Sequence, residues 1–64
     1  MSRRQELEIA MHGAKEAMEV AIMWIEKGRI DKAEIFLVRA REYIDEVNML
    51  TARIIDQTIE DLHV

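Results

Sequence analysis

The residues whose types and spacing could do chemistry are mostly acidic. Glu16-x-x-Glu19 and Glu42-x-x-Asp45 set two carboxylate pairs on opposite sides of a central glycine, Gly28. Side chains three apart share one face of a helix. A hard divalent cation such as Mg²⁺ needs clustered oxygen ligands, so four carboxylates brought together would suit one. His12 stands four residues from both Glu8 and Glu16, and Glu60-x-x-His63 lies at the end of the chain. Helix-borne Glu-x-x-His binds transition metals where two such motifs meet in a bundle core. Phosphate-binding glycine loops, EF-hand loops and nucleophile motifs are absent; Ser2 is the only serine and there is no cysteine.

The two carboxylate pairs are similar to the motifs of all-α nucleotide pyrophosphohydrolases. That resemblance implies an alternative function, Mg-dependent hydrolysis of a nucleoside triphosphate by Glu16, Glu19, Glu42 and Asp45. Two departures count against it: Lys15 stands where that family has a further Glu, and no Lys/Arg-rich helix follows to hold phosphates. The helical pattern below also puts all four carboxylates, and His12, on outward positions, the usual solvated face. Glu60 and His63 fall in a terminal turn that frays. The expectation is no enzyme, no catalytic residue, no cofactor and no metal ligand.

What positions these side chains is a helix stop followed at once by a helix start. Gly28 suits the left-handed position that ends a helix, with Lys27 and Arg29 where cations favour the negative end of the dipole. Asp31 is expected to cap a second helix, Glu34 to reach back to it in a capping box, and Ile30 to staple onto Ile35. Ser2 with Gln5 forms another capping-box signature. The spacing predicts helix 1 over about 3–27, a turn over 28–31 and helix 2 over about 32–62, in a single domain spanning 1–64. At ~1.5 Å per residue the helices are roughly 37 and 46 Å long, so helix 2 overhangs.

Apolar residues step by fours and threes. Helix 1 has Leu7, Met11, Ala14, Met18, Ala21 and Ile25; helix 2 has Ala33, Leu37, Ala40, Ile44, Val47, Thr51 and Ile54. This alternation marks the a/d seam of an antiparallel coiled-coil pair. Folding at Gly28 sets opposite one another residues whose numbers sum to 58, such as Ala21/Leu37, Met18/Ala40 and Ala14/Ile44. Large then faces small. The fold class expected is an all-α antiparallel helical hairpin that dimerises into a four-helix bundle.

Flanking g positions are apolar too: Ala10, Ala17 and Trp24 on helix 1, Phe36, Tyr43 and Leu50 on helix 2. With Gly13 and Val20 they make one side that carries the only Trp, Phe and Tyr of the chain. A patch that large points to a partner, so Ala10, Gly13, Ala17, Val20, Trp24, Phe36, Tyr43 and Leu50 are the expected interface. The partner expected is a second copy, giving a homodimeric protein–protein interaction or assembly module; another helical protein is the other candidate.

Residues 17–43 resemble one tetratricopeptide-type helix-turn-helix unit, on Gly28 at the turn, Ala33, Leu37 and Ala40 at packing positions, and Trp24 where that family has an aromatic. The resemblance covers under half the chain, and no second repeat follows. It implies hairpin geometry, not a peptide-binding superhelix.

Composition bounds the rest. The chain has 64 residues, a net charge of −4 with both signs interleaved, half its residues apolar, no proline and no cysteine. No basic face is available for nucleic acid, and no apolar run reaches the ~18 residues of a membrane span. A cytoplasmic protein with neither nucleic acid nor membrane as partner is expected. The regular seam and two capping boxes would also suit a designed sequence, whereas five methionines and the polar Thr51 and Thr58 favour a natural one.

Overall fold

The computed structural model describes Ser2–His63, with the side chain of His63 excepted. Two helices, α1 (Arg3–Glu26) and α2 (Ile30–His63), pack against each other as a hairpin, with no strand among the described residues. The Ser2 hydroxyl accepts from the Gln5 amide at 3.2 Å, and the Gln5 side-chain oxygen accepts from the Ser2 amide at 3.0 Å. The predicted capping box therefore starts α1 and satisfies two otherwise orphan donors.

The turn is a Schellman motif. Gly28 has φ +75°; its amide donates to the Ile25 carbonyl at 2.9 Å and the Arg29 amide donates to the Trp24 carbonyl at 2.8 Å. These bonds satisfy two carbonyls that the end of α1 would leave unpaired.

The start of α2 differs from expectation. The helix begins at Ile30, and the Ala33 amide donates to the Arg29 carbonyl at 3.1 Å, so Asp31 sits in the first turn rather than capping it. Its carboxylate takes two bonds from the Arg29 guanidinium, at 3.2 and 3.1 Å. The Schellman turn leaves Arg29 at the cap position, so Asp31 falls inside the helix, where its carboxylate meets the Arg29 side chain instead of an orphan amide. Ile30 is thereby drawn into the helix, and neither it nor Ile35 is buried, so the staple does not form.

Packing between the helices also departs from the sequence expectation. The buried residues are Ala10, Ala14, Ala17 and Ala21 of α1 and Ala33, Ala40 and Leu50 of α2. In heptad terms these are d and g positions. The a positions Met11, Met18, Ile25, Leu37 and Ile44, which were to be the large members of the seam pairs, remain 40–53 % exposed. The contact is rotated by about 50° towards g, half of the ~100° that separates lanes a and g. Alanine at both lanes of α1 permits a close approach there, and large side chains are displaced to its edge. Among the described residues no large side chain is fully buried.

The result is a slab one helix thick, with Cα extents of 54 × 18 × 13 Å and a radius of gyration of 15.4 Å. A compact chain of this length has about 10.7 Å. There is little interior in which to place a site, so function must lie on a face.

Candidate interaction surface

The two broad faces of the slab differ in chemistry. One carries the aromatics. Here Ala10, Ala17 and Leu50 are enclosed by the hairpin itself, whereas Val20, Trp24 and Phe36 are half-buried and Tyr43 lies on the surface. The Tyr43 ring packs over Gly13: a Cβ on Gly13 would stand 2.5 Å from the ring. Lys32 Nζ lies 4.7 Å and Lys27 Nζ 5.4 Å from the centroid of the Trp24 ring, and the Arg39 guanidinium 5.7 Å from that of Phe36. These cation–π contacts occupy the indole from both sides of the turn. A shallow groove of about 200 Å³ remains between Gly13, Glu16, Ala17, Val20, Phe36, Arg39 and Tyr43. Of the eight positions expected as an interface, Gly13, Ala17, Val20, Phe36 and Tyr43 line this groove, and Ala10, Ala17 and Leu50 are buried in the hairpin.

The other face presents what the rotated contact leaves out. Met11, Met18, Ile22 and Ile25 of α1 fall within a 60° arc, and Leu37 and Ile44 of α2 project on the same side because the helices are antiparallel. All six are between 40 and 54 % exposed. Around them, at e positions, stand Glu8, Lys15, Glu34, Arg41 and Asn48. An apolar centre with a mixed-charge rim is the anatomy of a protein interface. The sequence signal for it was present, since the a residues were legible as a lane; what hid it was the expectation that the hairpin buries its own a lane.

A heptad-based four-helix bundle divides its lanes in a definite way. In such a bundle each helix turns its a/d edge to the common axis, touching one neighbour through d/g and the other through a/e. The hairpin uses d/g internally and leaves a/e open. Beyond it, α2 runs past the start of α1, and Ile55, Ile59 and Leu62 of the overhang are exposed.

The chemically suggestive residues are not assembled. Glu16, Glu19, Glu42 and Asp45 are all exposed, and no group of three or more His or acidic side chains among the described residues could hold a metal ion. His12 is also exposed, and the side chain of His63 lies outside the described residues. Among the described residues, the perturbed pair is at the turn. Hydrogen bonding from Arg29, with its positive charge, lowers the Asp31 pKa, and the same bond raises that of Arg29. No described helix is long and apolar enough to cross a membrane. In comparison with known proteins, no family model, no curated protein and no solved structure matches the chain.

Proposed function

We propose that this chain is a small protein–protein assembly module whose working form is a homodimeric four-helix bundle. The observation that carries the reading is the row of large aliphatic side chains half out in solvent above a core made almost wholly of alanine. Alanines contribute little apolar area, and small single cores are marginal without a staple. The exposed surface is 5258 Å². A compact monomer of 7.5 kDa exposes about 4250 Å². The excess, about 1000 Å² per chain, would hide about 2000 Å² when two copies pair, the size of a stable homodimer interface.

Closed two-fold pairing is the commonest way for one chain to cover its own apolar face. The test is the molar mass in solution. Sedimentation equilibrium at micromolar concentration should give twice the 7.5 kDa of the chain. A cooperatively folded monomer would overturn the reading.

A further inference from the structure

We infer that the second copy docks on the Met11/Met18/Ile22/Leu37/Ile44 face in antiparallel sense, with the two turns at opposite ends of the bundle. This orientation rests on the homodimer reading above and adds to it the face and the direction. Two hairpins stacked face to face have only two closed arrangements. A two-fold axis along the bundle puts both turns at one end and α1 beside the partner's α2. An axis across the bundle puts the turns at opposite ends, α1 beside α1 and α2 beside α2. Both make all neighbours antiparallel, so helix direction alone does not choose between them.

Length and charge choose. α2 has 34 residues and α1 has 24. Pairing α2 with the partner's α2 about its midpoint, near Glu46 and Val47, matches the longer helix along its whole length. Each overhang then lies beside the turn end of the other copy, and Ile55 comes level with the region of Leu37 in the partner. Neither end of α2 is left alone. With both turns at one end, the two overhangs project together beyond both copies of α1.

The same axis crosses α1 near Met11 and His12. Glu8 of one copy therefore stands level with Lys15 of the other, and reciprocally, so the two-fold makes two opposite-charge pairs at the rim. With both turns at one end, Lys15 stands within about 3 Å of the level of Arg41 instead, and the symmetry makes two like-charge pairs. Glu8, Lys15 and Arg41 are all exposed in the hairpin and free to meet a partner's charge, although Glu8 also takes a bond from Arg4 at 3.4 Å. Opposed like charges select against an arrangement more strongly than rim pairs favour one.

Two measurements test the orientation in the 64-residue chain. A spin label at Lys27→Cys, beside the turn, should give an inter-label distance of roughly 45 Å by pulsed dipolar spectroscopy, from ~1.5 Å per residue along the bundle. With both turns at one end the labels would be about 25 Å apart or less, and that distance would overturn the orientation while leaving the homodimer standing. A chain-length mass with no inter-label signal would remove both. Independently, Lys15→Glu should weaken dimerisation by about threefold or more, and adding Glu8→Lys should restore it. Tighter dimerisation of Lys15→Glu alone would mean that residue 15 meets Arg41, again overturning the orientation. Circular dichroism at high concentration, showing that each variant keeps its helices, separates these outcomes from misfolding.

Discussion

At the scale of single residues, the two glycines work for opposite reasons. Gly28 is surrounded by open space, so its requirement is conformational: φ is +75° and no side chain would clash. Gly28→Ala should therefore cost about 1–2 kcal/mol, the penalty of the left-handed region, and Gly28→Val at least as much. Gly28→Asn should cost less. Thermal unfolding of the three variants checks this, and equal melting temperatures would show that the Schellman turn does not depend on the glycine. Gly13 lies mid-helix, where Ala ordinarily gains about 1 kcal/mol. Here an added Cβ meets the ring carbons of Tyr43 at 2.5–2.7 Å. Gly13→Ala should thus fail to stabilise, but should do so once Tyr43→Ala removes the ring. A double-mutant cycle without coupling between the two positions would rule out the ring-on-backbone contact.

Elements are set by their ends. Ser2 and Gln5 satisfy each other's backbone donors at the start of α1. Ser2→Ala should lower stability by about 0.5–2 kcal/mol and fray the first turn, visible as lost amide protection at Gln5 and Glu6. The start of α2 is held by charge instead of a cap, and this gives it a pH dependence. Asp31 has a lowered pKa in the folded chain because Arg29 hydrogen-bonds its ionised form, so its contribution is complete above the ordinary aspartate range and is lost as pH falls through the lowered value. Both groups are exposed, so the effect is small. Wild type should melt above Asp31→Asn at neutral pH, and the gap should close in acid; a gap that persists at low pH would mean the charge is irrelevant. Farther along α2, the Thr58 hydroxyl donates to the Ile54 carbonyl at 2.9 Å, which lets a polar residue sit on an a position without seeking a partner.

For the whole molecule, the decisive property is that the hairpin's core and its largest side chains are in different places. A charge on the alanine seam and a charge on the aliphatic face should then fail in different ways. Ala17→Glu buries a carboxylate between α1 and α2, so it should unfold the hairpin at any concentration. Ile22→Glu stands on the open face and, on the proposed dimer, should lower the melting temperature at a given concentration by an amount that raising the protein concentration recovers in part. A melting temperature equal to that of wild type at the same concentration would remove the aliphatic face from the interface.

Much of this architecture is local, and local rules are legible in a chain. Ser2 with Gln5 and Gly28 after Lys27 specify helix ends through bonds made within five residues, so the two helices and the turn could be placed before any packing was known. Lanes a, d and g were legible for the same reason, since periodicity needs only the pitch of a helix. Which lanes meet is a different kind of question. Met18 and Ala17 are both apolar, and nothing in their order says that Ala17 goes inside while Met18 stays out. That choice depends on how closely two backbones approach, and the run of small residues at d and g on α1 draws the contact towards itself only once both helices are in place. The swap of Asp31 from cap to ion pair has the same origin, because Arg29 reaches it only in the conformation that the Gly28 turn imposes. Local hydrogen bonding fixed the elements, and the rotation of one helix against the other decided which apolar face was left open.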